Sequence, residues 1–419
     1  MQRQNTNPRL AFVSLSLLYF LVSAGTFSSL GMVLPAMVAE QHWSWTEAGM
    51  GYTLLGVSCG LASFLPAILI RRIGVPGALA LGTLLLMGGF AVLATVRDVW
   101  AYLGASLMIG TAFALTTTVP GAHVLTTLFR RRSTVLGAYF TSGALGGVAG
   151  PPFYVLVQAA SGGWRAYWWA IMVLAAVIGL FAVLTTRGTG SAEAPVVSDE
   201  PDPVTMLDAP GVAAQPDWTV GRALRAWQYY VIVGAYTTNL LINTTAHGFA
   251  VEHLTERGVD PKVAAGMLSV EALVGAAVSV IGGVIGEKLS SRTLMITALG
   301  ALVIGMEGLT LAHGMGPTGL ALMGLCAVGL GAGVGLAFIA STLLLLQYFG
   351  RKPNLELYSI MCLLSTLAAL GPAFGGWMRD RYGDFVLTFE ICSVLTLAVL
   401  AGLFLIRPPT GSSSRGSIP

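Results

Sequence analysis

The fold class this sequence predicts is an all-α membrane protein, with twelve transmembrane helices in two pseudo-symmetric six-helix bundles. Three observations lead there. Of 419 residues, 55% are hydrophobic and only 10% charged, with a mean hydropathy of +0.77, whereas soluble domains carry about 25% charged residues. Cutting the chain at its charged or Gly/Pro-rich breaks leaves twelve apolar runs, each near the roughly 20 residues that span a bilayer. Finally, the Lys and Arg residues concentrate in alternate loops. The charge deficit excludes a soluble enzyme, a disordered chain and a nucleic-acid binder; lipid is the partner that covers such a surface.

The runs are 10–38, 46–70, 75–96, 99–128, 133–160, 164–186, 226–251, 262–287, 293–313, 317–349, 355–378 and 385–406. The first reaches Met37 with no small-residue cleavage site ahead of a polar segment, so it reads as a helix, not a signal peptide. With the N-terminus in the cytoplasm, sixteen of the 22 Lys and Arg fall inside. The other six (Arg97, Arg165, Arg257, Lys262, Arg379 and Arg381) fall outside. That bias obeys the positive-inside rule and puts both termini in the cytoplasm of an inner-membrane, multi-pass protein. The four cysteines, Cys59, Cys326, Cys362 and Cys392, lie in apolar runs without CxxC spacing and read as small buried side chains. No cluster has metal-ligand spacing and no phosphate-binding loop occurs, so neither a metal nor a cofactor is expected.

Residues 188–221 are rich in Pro, Ala and acids and lack apolar periodicity, as expected of a cytoplasmic linker. They separate an N-terminal bundle (1–187) from a C-terminal bundle (222–408), with a tail at 409–419. The halves resemble each other. LFRRRSTVLGAYFTSGALGGVAGPPF, from Leu128 to Phe153, has a counterpart in YFGRKPNLELYSIMCLLSTLAALGPAF, from Tyr348 to Phe374. Basic turns, Arg71–Arg72 and Lys288 to Arg292, occupy matching places after the second and eighth runs. Such internal repeats suit a transporter whose halves rock about a central site. A non-transporting membrane receptor or assembly factor is the alternative from another class.

On these residues the chain resembles the major facilitator superfamily over almost its whole length. Within it, the chain is most similar to the bacterial relatives of monocarboxylate transporters and oxalate/formate exchangers. Four stretches carry the resemblance. They are Ser29 to Pro35 with Glu40 to Thr46; Phe129 to Ser133 with Gly137 and Ser142–Gly143; Gly163–Trp164–Arg165; and Ala223 to Tyr230. The resemblance implies a secondary transporter, not an enzyme, that moves a small organic acid. It also implies cytoplasmic gating by Arg71, Arg72, Glu287 and Arg292. Two positions depart from it. Arg71 stands where the family's loop between helices 2 and 3 carries an aspartate, and Ser279 stands where carboxylate-transporting relatives place an arginine. The cation that would hold a carboxylate is missing there. A proton-driven exporter of a lipophilic or cationic compound is therefore the alternative.

An ionisable group in the bilayer costs on the order of 2.5–3.5 kcal/mol on insertion scales. Glu271 lies nine residues past Lys262, about 13 Å deep at the helical rise. It reads as a proton-coupling site or a ligand for a cationic or hydrogen-bonding substrate, with a structural, helix-bonded carboxylic acid as the competing reading. Asn239, Asn243 and His247 recur every fourth residue on one stripe of the seventh run. His247 is twelve residues before Val259, and Glu271 is twelve after it. In antiparallel neighbours the two share a depth, where a His–Glu pair could exchange a proton; helix-packing hydrogen bonds would explain them equally. Candidate substrate-binding residues are Tyr139, Ser142, Thr117, Asn239, Asn243 and Ser279. Thr117 sits just ahead of Pro120, where a kinked backbone could open carbonyls to a cavity. Glu252 and His253 are expected in solvent at the outer mouth. The partners this reading calls for are a small-molecule substrate and protons.

Overall fold

The computed structural model describes residues 7–129, 132–188, 218–285, 289–350 and 353–407. Among them all regular structure is helical. The first run forms α1 (Pro8–Gly25) and α2 (Phe27–Gln41), broken at Thr26. Next come α3 (Trp45–Leu61), a 3₁₀ turn at Ala62–Phe64, and α4 (Leu65–Thr95). The stretch Trp45–Thr95 is 51 residues long, about 76 Å at 1.5 Å per residue, twice what a bilayer core accommodates. It crosses twice, turning at Gly74, whose φ of 73° and ψ of 171° leave the helix. The fourth run is α5 (Val99–Thr116) and α6 (Thr118–Leu128); the fifth and sixth are α7 (Arg132–Ser161) and α8 (Trp164–Thr185).

A short turn, α9 (Val220–Ala223), leads into α10 (Trp227–Glu256). There follow α11 (Pro261–Ile285), α12 (Ser291–Leu311) and α13 (Pro317–Phe349). The eleventh run is α14 (Asn354–Ser365), a 3₁₀ turn at Thr366–Leu370 and α15 (Gly371–Tyr382); α16 (Val386–Leu405) closes the chain. Ten described stretches are long and apolar enough to cross a membrane. One of these holds two crossings. The thirty-residue α10 is long enough but too polar to join them by hydropathy alone, because it carries Tyr236, Thr237, Thr238, Asn239, Asn243, Thr244, Thr245 and His247. The total is twelve.

Local chemistry sets the ends. Ser44 and Glu47 form a capping box on α3, Asp98 caps α5 by accepting from the Ala101 amide, and Ser290 caps α12. Exposed apolar side chains such as Leu84, Leu156, Val177 and Leu405 make the surface that lipid covers.

α1, α4, α5, α7 and α8 pack on one another, and so do α10, α11, α12, α13 and α16. With α2 and α3 counted in the first group and α14 and α15 in the second, the groups meet where α3 packs on α15, on the 3₁₀ turn before it and on α14, where α7 packs on α11, and where α2 crosses α10. The last is backbone to backbone. A Cβ at Gly31 would lie 1.7 Å from the carbonyl oxygen of His247, so only glycine permits the crossing. The end where α8 finishes and α10 begins is called the linker end below. The end where α2 gives way to α3 is the far end.

Candidate functional site

A cavity of about 1010 Å³ lies between the two groups of helices. Its lining starts at His247 and Glu271. From there it runs along α7 to Gly137, along α11 to Val280 and along α13 to Ile339, all toward the linker end. One wall is aromatic. Tyr19, Phe27, Phe113 and Phe140 come from α1, α2, α5 and α7, with the Phe27 and Phe113 rings edge-on at 5.5 Å and Tyr19 and Phe140 at 6.3 Å. The other wall is polar: Asn243 and His247 from α10, and Glu271 and Ser279 from α11, with Phe338 of α13 beside them. No lysine or arginine lines the cavity among the described residues.

Backbone contacts hold the acid and the imidazole in place. Gly31 of α2 presses on the carbonyl of His247, and Gly331 of α13 would put a Cβ 2.3 Å from the carbonyl oxygen of Glu271. The Nδ1 of His247 lies 2.9 Å from the carbonyl oxygen of Asn243. A carbonyl only accepts, so Nδ1 carries the hydrogen and Nε2 is the site free to gain or lose a proton. Nε2 faces Oε2 of Glu271 at 3.9 Å, beyond direct hydrogen-bond range. Glu271 is 3% exposed, and its Oε2 has no hydrogen-bond partner among the described residues. An unpaired charge is costly here. A neutral acid beside a neutral imidazole, or a carboxylate beside an imidazolium, would each avoid that cost.

Spacing put His247 and Glu271 at equal depth; the structure brings them face to face across the cavity floor. Asn243 and Ser279 also reach the cavity, although the Ser279 hydroxyl already donates to backbone, with the Gly275 and Gly335 carbonyls at 2.8 and 3.2 Å. The other four expected binding residues stand behind the walls. Asn239 is fully buried, and neither amide atom has a partner among the described residues. Ser142 donates to the Tyr139 and Ser16 carbonyls.

Thr117 and Tyr139 serve a helix break. At Thr117, φ and ψ are both −109°; its hydroxyl donates to the Phe113 carbonyl at 2.6 Å, and the Tyr139 hydroxyl donates to the Thr117 carbonyl at 2.9 Å. The expected kink is present, but a tyrosine satisfies the carbonyl at the break instead of the cavity. Helix breakage recurs at Thr26, with φ −108° and ψ −106°. There the threonine hydroxyl donates to the Val22 carbonyl, and the Tyr52 hydroxyl donates to the adjacent Phe27 carbonyl, at 2.7 and 2.8 Å. Nothing in the sequence reading pointed to Tyr52, Thr26 or the aromatic wall. The matched threonine–tyrosine pairs were the available signal.

The proposed gating residues fare differently. Arg71 and Arg72 are exposed at the linker end, and Arg71 Nε donates to the Ala67 carbonyl of its own helix. Arg292 donates to the Leu403 and Phe404 carbonyls, tying the start of α12 to the end of α16. Glu287 lies outside the described residues. At the far end Glu252 lines a separate cavity of about 190 Å³ with Tyr154, Gln158 and Lys262. His253 is buried edge-on to Phe389 at 5.0 Å, not solvated as expected. Its place in the contact between α10 and α16 explains the difference.

The family model of the Major Facilitator Superfamily matches residues 15–368. The chain belongs to that superfamily. It is a membrane-embedded, multi-pass secondary transporter by fold, and not an enzyme. The nucleoside transporter NupG has a similar solved structure, with a TM-score of 0.72 at 13% identity, covering 96% of this chain and 100% of that one. A mutant of the peptide transporter POT gives a TM-score of 0.71 at 14% identity over 93% of each chain. PepTSo2 gives 0.67 at 13% identity, covering 95% and 96%. At these identities the likeness is one of fold, and it does not single out the monocarboxylate and oxalate/formate branch. A sequence search of curated proteins finds no match.

Proposed function

We propose that the chain moves a small molecule by alternating access, coupled to protons through His247 and Glu271. In this reading residues 1–187 and 222–408 rock as two bundles, with the linker 188–221 and both termini in the cytoplasm. One observation carries the coupling: a buried acid and an imidazole face each other on the floor of the large cavity, joined by no direct hydrogen bond. Proton binding changes the charge of that floor, and a change of charge alters what the cavity holds. Asn243 and Ser279 offer neutral polar atoms beside the pair.

The aromatic wall and the absence of a described lysine or arginine favour a lipophilic substrate, neutral or cationic, held by ring faces and the Glu271 carboxylate. An organic acid is the second reading. It is favoured by His247, whose Nε2 side becomes a cation when protonated and could hold a carboxylate.

Proteoliposomes under an imposed pH gradient separate the two, with tetraphenylphosphonium and labelled lactate as probes. Gradient-driven movement of tetraphenylphosphonium supports the first reading, and movement of lactate alone supports the second. A probe that the protein does move, but equally with and without the gradient, contradicts proton coupling.

A further inference from the structure

At the far end the two groups of helices are joined through the first turn of α3. The capping box of α3 satisfies its third amide, that of Glu47, through the Ser44 hydroxyl at 3.2 Å. The two amides before it are left without a partner inside their own helix. Asp380, two residues before the end of α15, supplies one. Its Oδ1 accepts from the Trp45 amide at 3.0 Å, and its Oδ2 accepts from the Thr46 amide at 2.8 Å and the Thr46 hydroxyl at 2.6 Å. Three donors converge on one carboxylate at the positive end of a helix, so each bond is charge-assisted.

The backbones are fitted to this contact. A Cβ at Gly376 would lie 1.9 Å from the Trp45 carbonyl oxygen, and one at Gly49 would lie 2.1 Å from that of Pro372. One turn deeper, the Ala373 amide donates to the Thr53 hydroxyl at 3.0 Å. The neighbouring Arg379 pairs with Glu256 of α10 and lies over Phe385, both within the later group of helices. Asp380 is thus the acid of this corner that reaches across.

We propose that Asp380 is the latch of the far-side gate, a positioning residue that holds the cavity closed at that end by capping a helix of the opposite group. When the far end opens, α15 withdraws from α3, and the Trp45 and Thr46 amides pass to water. The latch rests on the alternating-access reading but not on proton coupling or on any substrate class.

Hydrogen–deuterium exchange on the full chain in lipid nanodiscs, without substrate, tests it. In Asp380→Ala, exchange over residues 45–53 and 371–376 rises about tenfold, the scale of one lost charge-assisted bond. In the same sample residues 137–144 and 334–339, on the linker-end walls of the cavity, exchange more slowly because that end now closes. Asp380→Asn keeps an acceptor oxygen and gives a smaller shift. Thr46→Val keeps the carboxylate and gives the smallest. Asp384→Asn, whose Oδ1 accepts from the nearby Val386 amide at 3.0 Å, leaves both regions unchanged. Faster exchange confined to the first turn of α3 and the end of α15, with the cavity walls unaltered, would mean simple fraying and overturn the latch. So would an equal response in Asp384→Asn. A normal exchange response with no proton-driven transport would leave the latch standing and sink the coupling instead.

Discussion

The two walls of the cavity are built on opposite plans. The wall from α1, α2, α5 and α7 is aromatic, and two of its spans are broken at threonines, where Tyr52 takes the Phe27 carbonyl and Tyr139 takes the Thr117 carbonyl. The wall from α10, α11 and α13 is made of unbroken helices and carries His247, Glu271, Asn243 and Ser279. The contrast separates two tasks. Under the proposed function, the groups that would exchange protons sit on continuous helices, where glycine contacts set their backbones, while the opposite wall would combine ring surface for a substrate with matched points of helix bending.

Changes that break this division have effects of graded size. The largest is expected at the crossing of the two walls. Gly31→Val would drive a side chain into the His247 carbonyl and reduce transport by about a hundredfold or more. Gly234→Ala, whose Cβ first meets Val399 at 3.4 Å, should leave transport unchanged; initial rates in proteoliposomes compare them.

Next come the rings. Phe140→Ala or Phe338→Ala should raise KM about tenfold, since a ring face covered by substrate contributes about 0.5–1.5 kcal/mol of ring contact, while the number of protons moved per substrate stays the same. A changed stoichiometry would erase the distinction between the walls. Tyr52→Phe and Tyr139→Phe should each cost about 1–2 kcal/mol by stranding a buried carbonyl. A fall of a few degrees in Tm, with coupling intact, checks this. The smallest effect belongs to Asn239→Leu. Its amide has no partner among the described residues, so an apolar side chain of similar volume should leave Tm equal or slightly higher. Asn243→Leu, by contrast, should weaken substrate binding.

Much of the scaffold was legible from composition alone. Apolar run lengths and the basic turns located the crossings, and even α10, too polar for hydropathy alone, came out as the run 226–251 between charged or Gly/Pro-rich breaks. Counting from Val259 placed His247 and Glu271 at one level because depth along a straight helix is a linear function of residue number. Which way a polar side chain points is a different matter. Tyr139, Thr117, Ser142 and Asn239 have the same chemistry as cavity residues, yet they face helix contacts and breaks, and no spacing rule separates these environments. The aromatic wall was hidden for the converse reason. A phenylalanine in an apolar run reads alike whether it meets lipid, another helix or a substrate. The break at Thr117 was signalled by Pro120, whereas the one at Thr26 has no proline to mark it.

The central claim is that proton coupling runs through the His247–Glu271 pair. Accumulation of the transported probe under an imposed pH gradient, measured beside gradient-free exchange of the same probe, tests it in Glu271→Gln. The account predicts that exchange persists while gradient-driven accumulation falls to the level of protein-free liposomes. Accumulation at the wild-type level in that variant would contradict it.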